Sequence, residues 1–119
     1  MVIVGLGLCA VTADAAPKEK LRHVVAFKFK DTATPEQIKD VEREFRALKG
    51  RIHEVVSIEW GTNISKENRD KGFTHCWIVT FKNEKDRDAY IVHPEHKKFV
   101  DFALPYVADV LVLDFFGKD

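Results

Sequence analysis

The alternating stretch LRHVVAFKFK, residues 21–30, decides the fold, because it indicates a β-strand with two unlike faces. Side chains along a strand point alternately to opposite sides of its sheet. One face of this strand therefore carries large rings and the other carries smaller groups. The first set is His23, Val25, Phe27 and Phe29, and the second is Val24, Ala26 and Lys28.

A helix is predicted after this strand. Thr34 suits the N-cap, Pro35 suits the first helical position and Gln37 completes a capping box. An apolar stripe at helical spacing follows, and Gly50 is a suitable stop signal. The stripe consists of Ile38, Val41, Phe45 and Leu48.

Three more strands and two short helices account for the rest of the chain. The strands are EVVSIEWG at 54–61, FTHCWIVTFK at 73–82 and DVLVLDFF at 109–116. Asn83 caps a helix that runs through Tyr90, and Pro94 starts another. The resulting order is that of a split βαβ unit. We therefore predict an α+β fold, a ferredoxin-like βαββαβ protomer.

Helices in this topology cover one face of the sheet, so the other face needs a different cover. An apolar sheet face left open to water usually marks an interface, and a second copy related by two-fold symmetry is the simplest partner. We expect a homodimer formed through the sheet face. The apolar residues assigned to that face are Val24, Ala26, Ile58, Cys76, Ile78, Leu111 and Leu113.

Length and charge restrict the function. The 119 residues suit one domain, and 19 basic residues balance 19 acidic ones, so no nucleic-acid partner is expected. Residues 1–16 are typical of a cleaved signal peptide, which leaves a single domain over 17–119. We expect an exported, periplasmic or secreted protein. The apolar run is too short to span a bilayer, so no stable membrane insertion is expected after the leader is removed.

The stretch AYIVHPEHKKF, residues 89–99, concentrates Tyr90, His93 and His96. These rings suit a catalytic pocket, a metal site or the polar end of an ordinary helix. His93 and His96 are spaced to share an ion with His75 or Glu95, but Pro94 separates a cap from a helix face. We therefore predict neither a metal nor a cofactor.

Several segments together resemble the stress-responsive dimeric α/β-barrel family, abbreviated Dabb, over residues 21–116. They are HVVAFKFKD, EWG, GFTHCWIVTF, YIVHPEHKKFV and DVLVLDF. The resemblance implies a ferredoxin-like protomer that pairs through its sheet into a dimeric α/β barrel. The family includes stress-associated plant proteins and a branch of polyketide cyclases.

The resemblance also implies a site. In the cyclases, a histidine of the Y-x-x-H-P-x-H segment acts as base and its tyrosine assists the substrate carbonyl. These roles fall on His96 and Tyr90. Trp77 departs from the cyclase pattern, which has a small aliphatic residue there, and its indole is expected to fill much of the cavity. The expected substrate-binding residues are His23, Val25, Phe27, His75, Trp77, His93 and Phe99.

Three functions remain open at this point. The first is an exported homodimer whose small hydrophobic pocket binds or converts a small molecule by histidine and tyrosine acid–base chemistry. The second is a non-catalytic, stress-associated structural dimer. The third is a haem-handling or monooxygenase-like α/β barrel. An open apolar cavity beside His96 favours the first, and a cavity filled by Trp77 favours the second.

Overall fold

The structure, a computed structural model, describes residues 19–119, which form an antiparallel sheet packed against helices. The predicted leader at 1–16 lies outside these residues, and export stays a prediction. No helix within 19–119 has the length and apolar character needed to cross a membrane. The elements are β1 (Leu21–Phe29), α1 (Pro35–Arg51), β2 (Ser57–Thr62), β3 (His75–Phe81), α2 (Glu84–Ile91), α3 (Pro94–Ala103), a 3₁₀ turn (Leu104–Tyr106) and β4 (Val107–Phe116).

The four strands lie in the order β2-β3-β1-β4, and every pair is antiparallel. This arrangement confirms the predicted ferredoxin-like α+β fold. The two halves of the chain interleave, so β1 lies at the centre of the sheet between β3 and β4. Residues near the chain start are thereby placed beside residues near its end.

Helix α1 begins as its sequence predicts. The Thr34 hydroxyl accepts from the Gln37 N–H at 3.2 Å, and the Gln37 side chain accepts from the Thr34 N–H at 2.9 Å. The helix does not stop at Gly50 but continues to Arg51. It ends there because Ile52 adopts an extended conformation and is fully buried in the core. Core burial, rather than a glycine, therefore ends the helix.

The helices cover the face of the sheet that carries His23, Val25 and Phe27, and the main core lies between this face and the helices. Ile58 belongs to this side, so its predicted place on the opposite face is wrong. It pairs with the buried Val79 and packs against the core. A shift of one residue in register moves every side chain of a strand to the other face.

No helix within residues 19–119 covers the opposite face, which we call the open face. The register of β1 with its neighbours sets Ala26 between Cys76 and Leu111, and Val24 between Ile78 and Leu113. Phe115 extends the apolar surface of β4. The open face consists of Val24, Ala26, Cys76, Ile78, Leu111, Leu113 and Phe115.

Candidate active site

A cavity of about 320 Å³ lies between the sheet and the helices, against β1 and β4 on one side and α2 and α3 on the other. Its polar side chains are His23, Tyr90 and His96. The rest of its wall is apolar, and this composition is typical of a site for a small hydrophobic molecule. The apolar wall includes the predicted residues Val25, Phe27, Phe45 and Phe99.

His96 is held in one orientation by the end of the preceding helix. Its Nδ1 lies 3.0 Å from the carbonyl oxygen of Ile91, the last residue of α2. The last carbonyls of a helix lack partners within it, so this oxygen is available to accept. Because a carbonyl only accepts, Nδ1 carries the hydrogen and Nε2 of the neutral ring is the basic nitrogen.

Burial lowers the pKa of His96 below its ordinary value, and the charges of nearby His23 and His93 lower it further. The hydrogen bond to Ile91 acts in the opposite direction and only partly offsets burial. The ring is therefore neutral at pH 7 and its Nε2 is free to take a proton. Both properties suit a general base.

Tyr90 stands next to this base, at the buried end of α2. Its ring centre is 4.4 Å from that of His96 and 5.7 Å from that of His23. Burial raises the pKa of the Tyr90 phenol above its ordinary value. The phenol therefore keeps its hydrogen near neutral pH and is suited to donate to a substrate oxygen.

His23, on β1, is the third polar group of the cavity. Its Nδ1 lies 2.7 Å from Oδ1 of Asp114 on β4, which is its partner in the sheet register. The other oxygen of Asp114 accepts from Arg87 of α2 at 2.6 Å. Sequence reasoning missed Asp114 and Arg87. A signal was present, because Asp114 interrupts the apolar run of β4 on the side that faces the helices.

Three residues predicted to bind substrate lie outside the lining of this cavity. His75 lies 2.7 Å from a Glu42 carboxylate oxygen, and its other nitrogen lies 2.8 Å from the Thr74 hydroxyl. His93 caps α3 by accepting from the Glu95 N–H at 3.0 Å. Both rings thus have local partners. The structure brings together His23, Val25, Phe27, Tyr90, His96 and Phe99, but not His75, Trp77 or His93.

Trp77 is fully buried and does not fill the cavity as expected. Its ring stacks on Phe45 with centres 4.4 Å apart and planes 8° apart. Trp77 also stacks against Trp60 and His75, whose ring centres lie 5.9 and 5.5 Å from its own. The indole is held in this aromatic stack, so space remains beside His96.

Within residues 19–119, no three histidine, cysteine, aspartate or glutamate side chains are grouped closely enough to hold a metal ion. The polar side chains that line the cavity are two imidazoles and a phenol, and the Asp114 carboxylate lies behind His23.

Known proteins are similar in sequence to this chain. Stress-response A/B barrel domain-containing protein HS1 of Arabidopsis thaliana is 33% identical over 98 residues, which cover 82% of this chain and 90% of that protein. Olivetolic acid cyclase of Cannabis sativa is 28% identical over 95 residues, or 80% of this chain and 94% of that protein.

Solved structures share the fold of this chain. Hydroxynitrile lyase from Passiflora edulis matches with a TM-score of 0.80 and 26% identity, over 87% of this chain and 97% of that one. A dimeric ferredoxin-like protein from Thermobifida fusca matches with a TM-score of 0.72 over 84% and 92%. At 23% identity, that likeness shows the fold alone.

The pattern that defines the Stress responsive A/B Barrel Domain matches residues 21–116. That range includes every strand and helix described above, together with the whole cavity. The chain belongs to the stress responsive A/B barrel domain (Dabb) family.

Proposed function

We propose that this protein is an acid–base enzyme that converts a small apolar carbonyl compound, with His96 as the base and Tyr90 as the hydrogen-bond donor. One observation carries the proposal. A neutral histidine whose Nδ1 is bound to Ile91 stands beside a protonated phenol in an apolar cavity of about 320 Å³.

The chemistry follows from what these two groups do well. His96 Nε2 takes a proton from a carbon next to the substrate carbonyl, and the C–H electron pair becomes that of an enolate. The Tyr90 hydroxyl donates to the enolate oxygen, where negative charge develops. The surrounding Val25, Phe45 and Phe99 exclude water, which strengthens both interactions.

The names of two relatives support small-molecule conversion as the class of activity. One is a cyclase and the other is a lyase, although they share only about a quarter of their residues with this chain. The non-catalytic alternative predicts a cavity filled by Trp77, whereas that indole stacks on Phe45 outside the lining. The unfilled cavity therefore favours a protein that binds or converts a small molecule over the structural dimer.

We further propose that the protein works as a homodimer joined through the open face. Leu111, Leu113 and Phe115 are each about half exposed in the single chain, and all three lie on that face. Apolar side chains aligned in this way favour association with a matching surface. Related folds from Thermobifida fusca and Bacteroides fragilis are described as dimeric.

The proposed reaction is tested by exchange of carbon-bound hydrogen. The purified protein is mixed with heptan-2-one in D₂O, and loss of the signals next to the carbonyl is followed by proton NMR. We expect exchange well above the buffer rate. Exchange no faster than in buffer would contradict the proposed function.

The pH dependence of this exchange gives a second prediction. Because the pKa of His96 is lowered, its basic form predominates above that lowered value and is lost as the pH falls through it. We expect the rate to fall about tenfold per pH unit below a midpoint under about 6.5. The Tyr90 phenol keeps its hydrogen over this whole range, because its pKa is raised, so it does not contribute to the fall in rate. A midpoint above about 7 would contradict the assignment of His96 as base.

A further inference from the structure

We propose that His23 is the proton donor of this site, and that Asp114 and Arg87 position it for that role. The inference rests on the proposed function and adds a division of labour between the two cavity histidines. It is carried by the chain of contacts that runs from Arg87 through Asp114 to the His23 ring.

The contacts fix both the carboxylate and the ring. Arg87 Nη1 lies 2.6 Å from Oδ2 of Asp114, and Oδ1 of Asp114 lies 2.7 Å from His23 Nδ1. Each carboxylate oxygen therefore has its own partner, and the group cannot rotate without losing one. Because an ionised carboxylate only accepts, His23 donates from Nδ1, and its Nε2 is the nitrogen left for the cavity.

The two histidines have opposite environments. The partner of His96 is a neutral carbonyl, which gives no charge compensation when the ring gains a proton. The partner of His23 is a carboxylate, which stabilises an imidazolium. Pairs of titratable groups whose surroundings differ in this way divide into acid and base. His96 is accordingly the member that accepts a proton, and His23 is the member that gives one.

Other groups facing His23 agree with this division. From α2, the Tyr90 phenol stays protonated, so it adds no negative charge. From α3, His96 is the nearest titratable ring, and the charge of His23 lowers the pKa of His96. From β3, the Phe81 ring meets His23 edge to face and Val79 is its partner in the sheet register, and neither carries a charge.

The proposed step moves one proton from carbon and one proton to oxygen. His96 Nε2 takes a proton from the carbon next to the carbonyl, and the C–H electron pair forms a carbon–carbon double bond. The carbonyl π pair moves to oxygen, which takes the proton from His23 Nε2. The product is the neutral enol, with His96 protonated and His23 neutral. His96 then exchanges the proton it took for a solvent deuteron and gives that deuteron to the carbon. The enol oxygen returns its proton to His23 Nε2, which completes one exchange cycle.

The experiment compares two isosteric variants. Asp114→Asn removes the charge behind His23, whereas Asp101→Asn changes an exposed carboxylate of α3 that does not line the cavity. Each variant is assayed for exchange of heptan-2-one in D₂O, and the ¹⁵N signals of the His23 ring are recorded at neutral pH. Circular dichroism verifies that both variants fold.

We expect Asp114→Asn to lower the exchange rate at least about tenfold, with a changed His23 ¹⁵N pattern. Asp101→Asn should match the wild type in both the exchange rate and the His23 ¹⁵N pattern. An amide can donate to Nδ1 as well as accept, so it no longer fixes which nitrogen carries the hydrogen. A purely structural role for Asp114 would leave the ring pattern unchanged.

Two failures are distinguishable. If the wild type exchanges heptan-2-one and Asp114→Asn does so equally fast, the role of His23 is overturned and the proposed function stands. The same holds if the rate falls while the His23 signals stay unchanged. If the wild type shows no exchange, the proposed function is overturned, and the role of His23 falls with it.

Discussion

Replacing His96 with alanine should lower the rate of heptan-2-one exchange at least about 100-fold, because a positioned general base contributes roughly 10²–10⁴ to a rate. His96 is the cavity group with a lowered pKa and a basic nitrogen that its hydrogen bond to Ile91 leaves free. No other ring takes over, since His23 has the opposite proposed role of proton donor and Tyr90 stays protonated. The measurement is the proton NMR assay at neutral pH.

His53 provides the matched control for this substitution. It is an exposed histidine in the turn after α1, so His53→Ala should exchange the ketone at the wild-type rate. Because the His96 ring packs against Tyr90, a second variant, His96→Gln, preserves more of that packing. If either His96 variant folds and retains the wild-type rate, His96 is not the base.

Replacing Leu113 with glutamate should weaken the homodimer about 1,000-fold. Leu113 lies on the open face and is 59% exposed in the single chain. Burying a leucine contributes roughly 1.5–3 kcal/mol. In a two-fold symmetric dimer each protomer contributes its own Leu113, so the substitution removes this contribution twice. A loss of about 4 kcal/mol corresponds to three orders of magnitude in the dissociation constant. Sedimentation velocity at micromolar concentration measures the shift from dimer to protomer.

Val92→Glu is the control, because Val92 is 64% exposed but caps the end of α2 on the helix side. That variant should sediment like the wild type. The dimer proposal fails if the wild type is a single protomer at this concentration. It also fails if Leu113→Glu dimerises as tightly as the wild type.

The sequence predicts the fold well because its signals are local. Alternation in 21–30 determines which β1 side chains meet the helices, and the Thr34–Gln37 capping box marks the start of α1. The sequence predicts the wrong face for Ile58 because alternation with Ser57 and Glu59 shows that Ile58 and Trp60 share a side of the strand, but not which face of the sheet that side joins. Pairing with β3, which sequence does not reveal, sets its actual side.

The candidate site is predicted less completely, because its partners are distant in sequence. Tyr90 and His96 fall within one short segment and could be recognised together, whereas His23 and Asp114 are 91 residues apart and meet only through the sheet register. His75 lies on the same face of its strand as the core residues, but its two ring nitrogens are within hydrogen-bond distance of Glu42 and Thr74. Neither the residue type nor the alternation of side chains along a strand reveals such local partners.

The most direct test of the central claim is the ¹⁵N spectrum of the His96 ring at neutral pH, recorded with and without heptan-2-one. The account predicts a neutral ring with hydrogen on Nδ1, as the 3.0 Å contact with Ile91 requires, and an Nε2 signal that moves as the ketone is added. A doubly protonated ring, hydrogen on Nε2 instead of Nδ1, or an Nε2 signal that ignores the ketone would contradict it.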